Sequence, residues 1–143
     1  MKTVIQKIIV AGIIISGGKV LIIQRSSDEE VFPNIWEIPS GKREFFEKSQ
    51  DAIVREVKEE TGIDIEVLIP VGVFEFKVEK ENETRDSTQI SFLCKPIGSV
   101  EVKLSEEHQN FAWVKENEIG KYNLSDDIKK IVTETFNLVN KGN

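Results

Sequence analysis

Glu56, Glu59 and Glu60 stand at i, i+3 and i+4 within a stretch of helical spacing, and three carboxylates on so small an arc constrain this chain more than any other feature. At about 100° per residue they fit inside a wedge of roughly 100°. Like charges at that spacing destabilise a bare helix by roughly 0.2–0.5 kcal/mol per pair, so the arrangement makes most sense where a cation sits among them. The hard, oxygen-seeking ions Mg²⁺ and Mn²⁺ are the expected guests.

An acidic run near a helix end is ordinarily a solvated face. The flanking residues reverse that reading, because Gly41, Glu47, Arg55, Glu56, Val57, Glu59, Glu60, Gly62 and Ile63 recur at fixed intervals. With each charged or glycine position filled by chance roughly one time in fourteen, seven of them coincide on the order of once in 10⁸ placements. The pattern is glycine, five residues, glutamate, seven residues, then Arg-Glu-apolar-x-Glu-Glu-x-Gly-apolar. It resembles the signature of the Nudix hydrolases at every defining position.

The rest of the chain sets the frame for that segment. Its length of 143 residues suits one domain, residues 1–143, and its 39% hydrophobic and 31% charged content is that of an ordinary globule. A net charge of −6 without a basic stripe argues against a nucleic-acid polymer as partner. The single cysteine, Cys94, lies in an apolar run and reads as a buried thiol in a reducing cytoplasm. Residues 8–15 are too short to span a bilayer and lack a cleavage site, so no membrane association is expected.

Residues 4–16 and 19–25, joined by Gly17-Gly18, read as a hairpin of buried strands. Residues 26–34 form a loop, 35–38 a short strand stopped by Pro39, and 40–48 an irregular connection. A helix over Ser49–Thr61 follows, with Ser49 as N-cap, Gly62 at C′, and Ile53, Val54 and Val57 as its apolar stripe. Residues 63–80 read as two β-rich stretches around Pro70 and Gly72, 81–86 as a charged hairpin loop, 87–95 as the returning strand and 111–114 as a short one. Ser125 caps a last amphipathic helix containing Ile128, Ile131, Val132, Thr135, Phe136 and Val139. The order predicts an α/β fold: a mixed sheet between helices, an α/β/α sandwich.

The resemblance implies hydrolysis of a nucleoside diphosphate linked to another group. By position it implies Glu56 and Glu60 as principal metal ligands, Glu59 beside them, and the Gly41 carbonyl as a further ligand, with Arg55 orienting carboxylates. Glu47 is expected to anchor the helix terminus or stand behind the ligands. The general base is left between Glu56 and the pair Glu106 and Glu107; His108 is either a structural hydrogen-bonding group or a phosphate contact. Arg25, Phe45, Phe46 and Phe74 are the expected substrate contacts, with Phe32 and Phe76 as further aromatic surfaces for a base.

Some positions depart from the commoner pattern. Ser40 stands where many members have a second glycine, Phe46 replaces a usual glycine, and Lys48 occupies a common Ser or Thr cap. Val78 and Glu79 lack the proline usual in the ADP-ribose branch, and Lys80 and Glu81 lack the tyrosine of the dinucleoside polyphosphate branch. Residues 36–42, Trp-Glu-Ile-Pro-Ser-Gly-Lys, are similar to the opening of MutT-like nucleoside triphosphate pyrophosphohydrolases. A nucleoside triphosphate is thus the first expectation and ADP-ribose or another nucleoside diphosphate derivative the second. A non-catalytic nucleotide sensor is the third, and a homodimer is left open.

Overall fold

In the long strand β1 (Thr3–Ser16), successive residues between Val10 and Ile14 face opposite helices. In this computed structural model, which describes residues 1–141, Val10 and Ile14 pack with Ala52, Ile53 and Val57 of α1 (Ser49–Thr61). Ala11 and Ile13 pack with Ile128, Ile131, Val132 and Phe136 of α2 (Asp126–Lys141). The two-residue period of a strand therefore divides one apolar run between two cores. In β2 (Lys19–Arg25) the same alternation sends Leu21 and Ile23 to α1, and Val20 and Ile22 to α2. This is the expected α/β/α arrangement around a mixed sheet.

The sheet is more divided than the expected hairpin. Gly17 and Gly18, at φ +59° and +76°, make a tight turn, yet β1 and β2 pair only at Ile15↔Val20 and Ser16↔Lys19. Beyond it, β1 runs parallel to β6 (Glu83–Pro96), from Thr3↔Glu83 to Ile14↔Cys94. On its other edge β1 pairs with β4 (Ser40–Lys42), a strand inside the segment expected to be irregular. Strand β2 turns away to pair with β3 (Trp36–Glu37) and β7 (His108–Val114). The two halves diverge from the Gly-Gly turn, and the cleft lies between them.

Other boundaries shift for local reasons. Residues 63–80 form one strand, β5 (Ile65–Glu79), with register shifts at Val67/Ile69 and Pro70/Gly72, because bulges absorb the proline that cannot donate to a ladder. The hairpin loop is shorter than 81–86: Lys80 N–H bonds to Glu83 O at 2.8 Å and β6 begins there. Strand β7 starts at His108, and a short 3₁₀ helix (Glu116–Lys121) precedes α2. Ser125 Oγ accepts from Ile128 N–H at 3.3 Å, the expected cap of α2. Cys94 is buried, and burial pushes its thiol up to about 12. Among the described residues no helix is long and apolar enough to cross a membrane.

Helix α1 differs from expectation at two points. Ser49 is its first residue rather than its cap; the cap position is Lys48, extended and without a side-chain cap bond. Val54 is exposed, and Ala52 completes the buried stripe instead. The preceding loop explains the missing cap, because it is tied down elsewhere: Arg43 donates to Glu47 O at 2.8 Å and Glu44 N–H to Glu47 Oε1 at 3.0 Å.

In that loop Phe46 has φ +64° and is 101% exposed. A side chain in the left-handed region costs about 1–2 kcal/mol, whereas glycine there loses only its extra chain entropy of about 0.5–1 kcal/mol. That accounts physically for the glycine usual at this position. Phe46→Gly is expected to raise the free energy of urea unfolding by about 0.5–1 kcal/mol, while Phe46→Ala gains nothing. A loss of stability in the glycine variant would show that the ring makes a contact the fold needs.

Candidate active site

Arg55 organises the carboxylates of the box. Its Nε and one terminal nitrogen each bond a different Glu47 oxygen at 2.9 Å, a two-pronged clamp. The other terminal nitrogen reaches Glu56 Oε1 at 2.7 Å and Glu59 Oε2 at 3.5 Å, and the first also donates to Lys42 O at 3.1 Å. The guanidinium thus joins α1, the loop before it and β4. The bond from Arg55 holds the Glu47 carboxyl down at about 2, and Glu47 in turn raises the Arg55 pKa. Glu47 therefore anchors Arg55, a contact more specific than the helix-terminus anchor or outer ligand expected of it.

Glu56 and Glu60 sit where carboxylates are costly. The Glu56 carboxyl lies over Gly41 so closely that a Cβ there would be 2.0 Å from Glu56 Cδ. Burial pushes the Glu56 pKa up, against the pull of Arg55, with Glu59 and Glu107 adding like charge. Glu60 is 6% exposed, and burial first, then the nearby Glu37, hold it well above the usual range. Its one compensation is Ser40 N–H, which donates to Oε1 at 2.9 Å. The serine substituted for a common glycine leaves this backbone bond available.

Glu59 departs from the expected cluster. Its side chain is 59% exposed, so the helical wedge opens toward solvent on that edge. Among the described residues no group of three His, Cys, Asp or Glu side chains is disposed to hold an ion. Glu56 is turned onto Arg55 and Glu60 onto Ser40. The donor chemistry nevertheless fits a hard divalent cation: two desolvated carboxylates, further negative charge from Glu37 and Glu107, and a glycine backbone against Glu56. A cation would relieve the repulsion that burial magnifies.

Glu37 is the principal residue that pattern reading passed over. Its Oε2 meets His108 Nε2 at 2.7 Å and lies 3.5 Å from an Arg25 terminal nitrogen. His108 is buried, so its structural reading is the one the geometry favours; its Nδ1 and Ser105 Oγ have no hydrogen-bond partner among the described residues. The bond ties the loop carrying Glu107 to β3. Arg25 also donates to Val31 O at 2.9 Å, which shapes the rim.

Two adjoining cavities lie beside these groups. The larger, of about 490 Å³, is lined by Arg25, Glu37, Gly41, Lys42, Glu60 and Glu107 among others. The smaller, of about 210 Å³, is mostly apolar, with Trp36, Phe74, Gln89, Ser125 and Asp127 in its wall. Phe32, Glu37, Ser40, Phe76 and Gln89 belong to both. Phe74 is thus placed where a flat ligand could lie. Phe45 and Phe46 line neither cavity; 93% and 101% exposed, they face solvent, so their proposed stacking role has no cleft to act in. Trp36, Gln89 and Asp127 were not read from sequence as substrate contacts, since only the sheet register and the start of α2 bring them together.

The fold and this constellation define a hydrolase domain of one family. The family model "NUDIX domain" matches residues 6–135, and the chain belongs to the Nudix hydrolases, enzymes that act on nucleoside diphosphate derivatives and generally use divalent metal ions. Within the family its likenesses are MutT-like. It is 35% identical over 112 residues to a MutT-like protein of Streptomyces ambofaciens, a match covering 78% of this chain and 65% of that protein, just under two thirds of its length. It is 30% identical over 136 residues to the nucleoside triphosphatase NudI of Escherichia fergusonii, covering 90% of this chain and 95% of that one. The crystal structure of a MutT protein from Methanosarcina mazei Go1 superposes with a TM-score of 0.75 at 26% identity, covering 98% and 97% of the two chains.

The close approach at Gly41 generates a direct test. Gly41→Ala must displace the Glu56 carboxylate from its place against β4, and is expected to lower kcat by roughly tenfold or more, while far-ultraviolet circular dichroism stays unchanged. Unaltered turnover in a folded variant would mean that the contact has no part in the reaction.

Proposed function

We propose that the chain hydrolyses a nucleoside triphosphate to the monophosphate and pyrophosphate, with Mg²⁺, or Mn²⁺ in its place, at Glu56, Glu60 and the Gly41 carbonyl. The observation that carries this reading is the pairing of cavities: a charged one beside buried carboxylates, opening past shared walls to a mostly apolar one. Phosphates belong in the first and a base in the second. The similarity to a nucleoside triphosphatase along nearly the whole chain supports the same choice.

When bound, the cation would neutralise phosphate charge and lower the pKa of its own water. The chain's residues supply the rest. Arg55, locked on Glu47, fixes the orientation of Glu56. Ser40 N–H fixes Glu60. Glu107 is the carboxylate best suited to take the proton, because it lines the charged cavity and its side chain makes no hydrogen bond or ion pair among the described residues. Glu106 does not line that cavity. Trp36 and Phe74 offer a base its flat surfaces, and Asp127 and Gln89 offer polar groups to its edge. Glu59, reached by Arg55 from the solvent side, would contribute negative charge beside a bound cation.

A screen of nucleoside triphosphates, ADP-ribose, nucleotide sugars and dinucleoside polyphosphates with Mg²⁺ is expected to give the highest kcat/KM on a triphosphate, releasing pyrophosphate rather than phosphate. Preference for ADP-ribose or a sugar would overturn the substrate assignment. Glu56→Gln is expected to cut kcat by at least about a hundredfold without unfolding the chain, and near-normal turnover would remove Glu56 from the mechanism. Mg²⁺ at a hundred times its Kd stabilises a folded site by about 2.7 kcal/mol, so the melting temperature should rise by roughly 5–10 °C. No rise in millimolar Mg²⁺ would exclude a preformed cation site.

A further inference from the structure

The charged cavity has a second wall that the box does not use. On the sheet face turned toward α2, the pairs Phe74↔Gln89, Phe76↔Ser87 and Val78↔Arg85 stand in successive rows of β5 and β6, and Lys7 of β1 lies opposite Ser87. Chemistry changes in one direction along these rows. On β6 they pass from the amide of Gln89 through the hydroxyl of Ser87 to the guanidinium of Arg85, opposite the apolar Phe74, Phe76 and Val78 of β5, and Lys80 follows at the turn. Lys7, Lys80 and Arg85 all line the cavity of about 490 Å³.

Their own partners leave these cations available. Lys7 is half-buried and has no ion pair or side-chain hydrogen bond among the described residues. Lys80 makes a single ion pair among the described residues, with the exposed Glu30 at 3.6 Å, and lies near Glu83. Arg85 is paired with Glu83 through Nε at 2.5 Å, and its terminal nitrogens make no hydrogen bond or ion pair among the described residues. Five basic side chains, Arg25 and Lys42 with these three, line this cavity together with Glu29, Glu30, Glu37, Glu60 and Glu107, and Lys7, Lys80 and Arg85 are grouped toward its β5–β6 end. Glu83, bonded to Arg85, is the one carboxylate that all three cations share, so three positive charges face one negative charge at this end of the cavity, and a bound anion would complete the balance.

We propose that Lys7, Lys80 and Arg85 form a second anion subsite, which takes the pyrophosphate unit distal to the nucleoside. The inference rests on the nucleotide-hydrolase reading and deepens it. It orients the substrate with its base under α2 and its outer phosphates toward the β5–β6 turn. It also favours a substrate whose departing part is itself a phosphate chain over one ending in a neutral sugar.

The subsite is testable without turnover. Inorganic pyrophosphate is titrated calorimetrically into the full chain in EDTA at low ionic strength, where no divalent cation contributes. Saturable binding is expected, weakening steeply with salt, and Lys7→Gln, Arg85→Gln and Lys80→Gln should each weaken it roughly tenfold. Binding of a nucleoside monophosphate should change less than about twofold in the same variants. Each variant's melting temperature is measured alongside, and Lys80→Gln, at the strand end, carries the test if a substitution within β1 or β6 unfolds the chain. Absence of pyrophosphate binding, or equal binding in the folded variants, overturns the subsite. A chain that binds pyrophosphate through these residues but hydrolyses no triphosphate retains the subsite and refutes the proposed function. One that hydrolyses triphosphates without such binding does the reverse.

Discussion

The clamp between Arg55 and Glu47 is the interaction on which the site depends. Two nitrogens of one guanidinium meet two oxygens of one carboxylate at 2.9 Å, and a planar fork in that register has little freedom left. Its third nitrogen is thereby aimed at Glu56. Without the clamp, the Glu56 carboxylate would be a partly buried charge beside Glu59 and Glu107 with no opposing partner, and rotating into water would relieve it. Glu47 thus sets the position of a residue nine places further along the chain. That is why its interval belongs to the pattern, even though its own carboxylate is taken up by Arg55.

The second requirement is a cleft, and β1 makes it. Because alternate residues of β1 serve opposite helices, the strand belongs to both cores and cannot move with either half of the sheet alone. Its short pairing with β2 lets the halves part immediately beyond the turn. Strand β4 closes the gap on one edge and sets Ser40 and Gly41 against Glu60 and Glu56. Elements that supply stability and elements that shape the cavity are therefore the same ones, so substitutions in Val10, Ala11 or Ile13 would be felt at both.

How much of this was legible depended on how local each cause is. The box was readable because its members lie on one helix and the loop before it, where spacing is geometry. Gly62 and Ser125 were readable as helix punctuation for the same reason. Ser49 was misassigned because a lysine with an extended backbone took the cap position, the loop being held by Arg43 and Glu47 rather than by a hydroxyl. Phe45 and Phe46 looked like candidates to stack on a base, yet a positive φ at Phe46 directs the pair outward. The bond between Glu37 and His108 joins residues 71 positions apart, and no period in a sequence announces such a pair. The bulges of β5, which decide which side of the sheet Phe74 faces, are equally silent, since one shifted residue exchanges the faces.

This division has a consequence for substrate choice within the fold. Apart from Glu107, the groups proposed to carry the hydrolysis occupy one contiguous segment, which can be kept intact while its surroundings change. The walls of the two cavities beyond the box include residues of β1, β3, β5, β6 and the start of α2, and those on strands have neighbours set by sheet register. A substitution at Phe74, Gln89 or Asp127 alters one wall without touching Arg55 or its carboxylates, so base preference is free to vary at nearly constant chemistry. A change in the β5 bulges, by contrast, would move Phe74, Phe76 and Val78 together to the other face. The register of β5 therefore holds the walls of the two cavities in relation to each other, and on the proposed reading the box supplies a reaction that is indifferent to the base.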